Sequence, residues 1–213
     1  MAVMAATDAA QQARQTCAGV PSEQIGLIVT SGLGPHCRGF RFLDGLLDCG
    51  DTAASPTDFS HSVHGAAAAY ITELLELRGP SISTTDFEAG FESGVLLAQC
   101  WLAENACQRV LVGAVEELGD VLLHCASRLR NDSEQAVAGE GAVFLMLGPR
   151  DMTGTAHLDA SAPRLKLENP AVESQFGRSA SLSAFALLAA LLAPRDIDTA
   201  AKSLSIEITH AYS

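Results

Sequence analysis

Three apolar, β-branched-rich runs constrain the fold more than any other feature: residues 25–30 (IGLIVT), 110–115 (VLVGAV) and 141–147 (GAVFLML). Each is continuous and not alternating, the pattern of a strand covered on both faces. Segments with helical spacing separate them. Residues 63–77 are Ala-rich and stop at Arg78-Gly79-Pro80, and residues 88–106 carry Val95, Leu96, Gln99, Leu102 and Ala103 at a 3.6-residue period. Residues 81–85 (SISTT) and the alternating 204–209 (LSIEIT) are two further predicted strands. Strands alternating with helices across short Gly/Pro turns predict an α/β fold with a largely parallel, buried sheet.

The remaining segments follow the same reading. Residues 8–17 have helix-forming composition and end at Gly19-Val20-Pro21. Phe40, Phe42, Leu43, Leu46 and Leu47 form an irregular helical stripe, and 48–58 is a polar loop containing Pro56. Residues 124–130 suggest a short helix and 181–192 an apolar one, with a long irregular connection at 148–178. The expected organisation is one domain over 1–148, with 149–213 supplying a connection, a helix and a strand that pack on it. At 213 residues the chain can bury about 70% of its extended surface and needs no covalent staples.

Charge excludes two classes of partner. With 25 acidic against 13 basic side chains the formal net charge is −12, which disfavours nucleic acid and anionic membrane surfaces. The first Arg is Arg14 and Asp8 interrupts the early apolar residues, so no signal peptide is read and a cytoplasmic location is expected. The longest apolar run, 184–193, spans about 15 Å as a helix, about half a bilayer core. Cys17, Cys37, Cys49, Cys100, Cys107 and Cys125 include no C-x-x-C pair and no zinc-ligand spacing. Reduced thiols and no metal are therefore expected, with Cys100 and Cys107 sharing one helix face.

Several catalytic motifs are missing. Gly90-Phe91-Glu92-Ser93-Gly94 displaces by one the Ser of a G-x-S-x-G elbow, and there is no Walker A sequence. Ser31-Gly32-Leu33-Gly34 follows a strand, yet no third Gly opens a helix, so no dinucleotide cofactor is expected.

The informative block runs from Ser55 to Glu116. It contains SPTDFSHSVHGAA (55–67), Gly79-Pro80-Ser81, the helix from Glu88, and Val112-Gly113-Ala114-Val115-Glu116. This resembles the N-terminal half of β-ketoacyl synthases of the thiolase-like superfamily, and more closely the short, divergent chain-length-factor type. Residues 25–34 (IGLIVTSGLG) match an earlier strand and glycine turn, and 140–147 the strand that ends that half; the resemblance covers about residues 8–148. It implies a thiolase-like layered α/β fold, reduced to roughly one half plus a C-terminal remnant.

The departures from the family decide the functional reading. Laid on without gaps, the family's nucleophilic Cys falls nine residues after Gly79, at Glu88. The same register puts Glu116 on the family's Glu. Cys100 and Cys107 lie at least a turn too deep to substitute. A ketosynthase needs a thiolate at that helix N-terminus. A Glu there is held as an anion by the helix dipole, is a poor thioester-forming nucleophile and repels a malonyl carboxylate and the developing oxyanion. None of His36, His61, His64, His124, His157 and His210 sits in a catalytic-histidine motif of the family. No catalytic residue and no cofactor are expected.

Candidate tunnel or interface residues are Phe87, Glu88, Phe91, His61, His64, Ser81, Ser83 and Thr85. Phe87 and Phe91 flank Glu88 and either line an acyl tunnel or join the core. His61 and His64, three apart, could face one another, and read best as loop or interface residues. Trp101 reads as core or subunit contact. Glu73, Glu76, Glu117 and Asp120 read as solvated, and Glu116 lies near the sheet's end. By resemblance, the strand at 81–85 pairs antiparallel with a partner strand. The implied role is a non-catalytic subunit. It would pair with an active β-ketoacyl synthase, or with itself when isolated, in type II polyketide, aryl-polyene or fatty-acid-like biosynthesis, and would help shape the acyl tunnel. An acidic acyl carrier protein would then dock mainly through the partner. The alternatives are a malonyl-carrier-protein decarboxylase using Glu88, or an assembly scaffold.

Overall fold

The computed structural model describes residues 1–12, 17–87, 90–121, 123–124 and 140–149, together with the short strands at 158–159 and 204–205. Four strands form one sheet: β1 (Ile25–Ser31), β2 (Ser81–Thr85), β3 (Arg109–Glu116) and β4 (Gly141–Leu147), in the order β2-β1-β3-β4. β1 pairs parallel with both β2 and β3, as Ile28 opposite Ile82 and Val112 marks. The expectation of a largely parallel sheet holds with one addition: β4 runs antiparallel to β3 at the far edge.

The continuous apolar runs are explained by helices on both faces. The side chains of successive strand residues alternate, so Ile28, Val110 and Val112 face α5 (Gly90–Ala103), where Phe91, Val95 and Ala98 are buried with them. Leu27, Val29, Leu111 and Phe144 form a second cluster with Ala6 of α1 (Ala2–Gln12) and with Ala68 and Ile71 of α4 (Ala66–Leu74). Burying each such large side chain contributes about 1.5–3 kcal/mol.

Several boundaries differ from the sequence reading. α1 covers Ala2–Gln12, ahead of the expected 8–17, because the Ala-rich start combines high helix propensity with a small buried residue, Ala6, that lets the helix approach the sheet. Where a polar loop is expected, α3 (Pro56–Ser62) forms: the Ser55 hydroxyl accepts the Asp58 N–H at 3.1 Å, and Pro56 occupies the first helical turn, where its missing donor costs nothing. α5 ends at Ala103, so Cys107 lies beyond it in the approach to β3, buried at 2% exposure, while Cys100 is exposed. The two thiols therefore share no helix face. Trp101 packs against the α5-side core.

The stripe over residues 40–47 belongs to α2 (His36–Cys49), which pairs with α3 through the Phe42 and Phe59 rings, 5.5 Å apart. Leu204–Ser205 is strand and pairs parallel with Leu158–Asp159. His124, the first residue of the helix expected at 124–130, is helical; the rest of that helix, the rest of the strand predicted at 204–209 and the helix expected at 181–192 lie outside the described residues. No helix among the described residues is long and apolar enough to cross a membrane.

Candidate functional site

Parallel strands collect their carboxyl ends at one edge of the sheet, and loops leaving that edge build sites in open α/β folds. Here β1, β2 and β3 all end on this side. After β1 the chain turns through Gly32-Leu33-Gly34-Pro35. The Gly34 N–H donates to the Ser31 hydroxyl at 2.8 Å, and Gly34 adopts φ +65°, a conformation that favours glycine. The Gly32 N–H donates to Oε1 of the buried Glu116 at 2.7 Å. Glu116, expected near the sheet's end, is there and turned inward.

At the end of β2 the Asp86 N–H donates to the Ser31 carbonyl at 3.1 Å, continuing the ladder one residue past the strand. Phe87 follows, 75% exposed, and the described chain resumes at Gly90, the first residue of α5. Glu88 lies outside the described residues. The two phenylalanines that bracket it separate: Phe91 is fully buried in the core and Phe87 faces solvent.

β2 is an edge strand, with no strand on its outer side among the described residues. Its hydrogen-bond parity is fixed by two bonds, Leu27 N–H to the Pro80 carbonyl and Asp86 N–H to the Ser31 carbonyl. In a parallel ladder one set of alternate residues bonds inward, here 80, 82, 84 and 86. Ser81, Ser83 and Thr85 therefore direct their backbone N–H and C=O groups to the open edge. These are the three strand residues singled out in the sequence.

The two histidines of the 61–64 segment do not face one another. His61 Nε2 meets the Tyr70 hydroxyl at 2.5 Å, with the rings stacked 5.5 Å apart. His64 lies over Gly34, where a Cβ would collide with its ring, and with Leu33, Pro35, Phe40 and Leu43 it lines a cavity of about 210 Å³. Beside this cavity α2 buries none of its residues, and Phe40, Leu43, Leu47, Phe59 and Val63 stand exposed along α2 and α3.

A further cluster joins the base of α2 to the chain leaving β3. His36, Cys37 and Glu117 offer one nitrogen, one sulfur and one oxygen within 4.8 Å of one another. Glu117 Oε1 accepts the Cys37 N–H at 2.6 Å and lies 3.6 Å from His36 Nδ1; the Cys37 thiol is 3.6 Å from His36 Nε2. Burial pushes the Cys37 thiol up from its ordinary range, and the Glu117, Asp120 and Glu140 carboxylates add to the effect. Glu117 is thus not the freely solvated acid expected. The sequence reading missed this grouping because ligand spacing was sought along the chain. The available signal was that two predicted parallel strands are each followed closely by ligand-type residues.

The chain matches the family model for the beta-ketoacyl synthase N-terminal domain over residues 4–204, further than the stretch legible by resemblance. No curated protein matches it significantly. Solved structures match its fold. The ishigamide ketosynthase/chain length factor is 14% identical, covering 64% of this chain and 38% of that one at TM-score 0.57. A beta-ketoacyl synthase from Burkholderia phymatum is 22% identical, covering 69% and 40% at TM-score 0.57. A ketosynthase (ApeO) in complex with its chain length factor (ApeC), from Xenorhabdus doucetiae, is 22% identical, covering 69% and 56% at TM-score 0.53. The chain therefore spans 38 to 56% of the length of these structures. Its fold is mixed α/β, a partial thiolase-like arrangement matching the N-terminal half of ketosynthases.

Proposed function

The chain belongs to the β-ketoacyl synthase N-terminal-domain family, and we propose that it acts as a non-catalytic, chain-length-factor-like subunit. In this reading it pairs with a cysteine-bearing β-ketoacyl synthase in type II polyketide, aryl-polyene or fatty-acid-like biosynthesis and helps shape the acyl tunnel between them. The observation that carries the reading is the open edge of β2, where Ser81, Ser83 and Thr85 offer a row of backbone groups with no strand beside them among the described residues, next to the position that the family register gives to the nucleophile, here Glu88. A bare strand edge is an aggregation liability, and pairing with a second chain is one way to remove it. The exposed apolar residues of α2 and α3 support the same conclusion, since they give a partner an apolar contact area.

Glu88 supports the non-catalytic assignment on chemical grounds. Acyl transfer needs a thiolate that a carboxylate does not replace, and an ionised Glu cannot donate the hydrogen bond that a developing enolate oxygen requires. The acidic carrier protein then meets the active partner, because this chain carries −12 itself.

Co-expression with a full-length, cysteine-bearing ketosynthase tests the proposal. The expected result is a stable 1:1 complex that condenses acyl chains, with no acyl group attached to this chain. Substituting Phe87 should shift product length. Unchanged product length would favour a pure scaffold. Release of CO2 from malonyl carrier protein by this chain alone, abolished in Glu88→Gln, would replace the proposal with a decarboxylase.

A further inference from the structure

We propose that His36, Cys37 and Glu117 form a binding site for a single zinc-class divalent cation at the carboxyl ends of β1 and β3. The donor set is one imidazole nitrogen, one thiol sulfur and one carboxylate oxygen, a mixture that suits a borderline ion such as Zn²⁺ better than Mg²⁺ or Ca²⁺, which take oxygen ligands.

The geometry supports this in three independent ways. First, His36 Nε2 and Cys37 Sγ stand 3.6 Å apart. A tetrahedral ion with Zn–N of about 2.0–2.1 Å and Zn–S of about 2.3 Å holds its nitrogen and sulfur about 3.6 Å apart. Second, the ligands are oriented from behind. His36 Nδ1 lies 3.2 Å from the Gly34 carbonyl and 3.6 Å from Glu117 Oε1, so both of its nearby partners are acceptors; the Nδ1–H tautomer that suits them frees the Nε2 lone pair on the thiol side. The Cys37 N–H holds the Glu117 carboxylate at 2.6 Å. Third, space is kept beside two of the ligands, the His36 ring and the Cys37 thiol, with the Glu117 carboxylate within 4.8 Å of both residues' donor atoms. A Cβ on Gly119 would lie 2.7 Å from Cys37 Sγ and 3.0 Å from His36 Nε2, so a side chain there would fill the cradle.

The electrostatics point the same way. Glu117, Asp120 and Glu140 all bear on the thiol, and a divalent cation neutralises that concentration of negative charge. Binding deprotonates the Cys37 thiol and releases the proton to solvent, forming a metal–thiolate bond. Three protein ligands leave a fourth position for water. The ion would pin the first turn of α2 to the loop after β3. This inference does not depend on the subunit role proposed above, and no partner is needed to test it.

The test uses the full-length, reduced, metal-free chain. Titration with Zn²⁺ against a chromogenic chelator should give one equivalent bound, and Co²⁺ should give a thiolate-to-cobalt charge-transfer band. Cys37→Ser should abolish the band and weaken Zn²⁺ at least about tenfold. Glu117→Gln keeps an oxygen to accept the Cys37 N–H, so the fold at α2 survives, and it should weaken Zn²⁺ at least about tenfold with the band retained. Cys100→Ser, on the exposed side of α5, should change neither. Absence of stoichiometric binding, a Co²⁺ complex without the band, or a band that survives Cys37→Ser would overturn the proposal.

Discussion

The Glu116 carboxylate accepts the Gly32 N–H at 2.7 Å, joining the last residue of β3 to the first residue after β1. The bond spans 84 residues of sequence and is buried. A charged acceptor in such a place contributes about 1.5–3 kcal/mol, and its loss leaves a buried donor unmatched. Glu116→Ala should lower unfolding stability by about that amount in urea titration. Glu116→Gln keeps an acceptor oxygen and should cost less than half as much. Equal losses in the two variants would show that charge, and not the hydrogen bond, is what matters.

Gly113 pairs with Phe144 across the β3–β4 ladder, and the ring lies directly over the glycine. A Cβ at position 113 would come within 2.2 Å of two ring carbons, so the ring must leave its place between the strands. Gly113→Ala should destabilise by about 1–3 kcal/mol through overpacking. Combining it with Phe144→Leu should recover part of the loss, a non-additivity that a double-mutant cycle measures directly.

Much of the fold was legible because its strands are covered on both sides. Residues 25–30, 110–115 and 141–147 are uniformly apolar and all three are strands of the central sheet, the first two almost wholly buried and the third, at its edge, buried at Val143 and Phe144. What failed was local. Pro56 marks a turn in sequence, yet with Ser55 ahead of it the same residues start a helix. Cys100 and Cys107 would share a face only on a helix running past Ala103, and α5 ends there. At the site, Glu116 was legible from the family register. Glu117 was not, because its meeting with His36 and Cys37 depends on β1 and β3 being parallel neighbours.

Cys107 should separate from the other thiols by reactivity. Burial raises its pKa from the ordinary 9.0, partly opposed by a hydrogen bond from the Gly26 backbone. Peptide mapping after alkylation at neutral pH should find, among the five described thiols, Cys49 and Cys100, both exposed, labelled first and Cys107 last. The raised pKa also sets a sign for stability. Above about pH 9 the unfolded chain loses this proton while the folded chain keeps it, so unfolding becomes more favourable as pH rises toward the folded value. The Cys107 contribution to stability should be constant through neutral pH and decline in that alkaline window, and Cys107→Ala should show a shallower alkaline decline.

The alternation along β2 allows the two sides of one strand to be tested apart. Ser83→Pro removes an outward-facing N–H and leaves the inward bonds of Ile82 and Thr84 to β1, so the isolated chain should keep its far-ultraviolet circular dichroism and lose pairing with a partner chain. Thr84→Pro removes an inward bond and should destabilise the isolated chain. If Ser83→Pro left co-purification intact, pairing through this edge would be ruled out.

The lack of any buried residue in α2 has a further consequence. A helix with no fully buried residue can open without the sheet giving way, so the free energy of its local opening is set by its seating on α3 and by the turn at its base. Its amides should exchange with solvent far sooner than those of β1 or β3. The order of this lobe is therefore adjustable from outside, by whatever settles against its apolar stripe, while the interior stays indifferent.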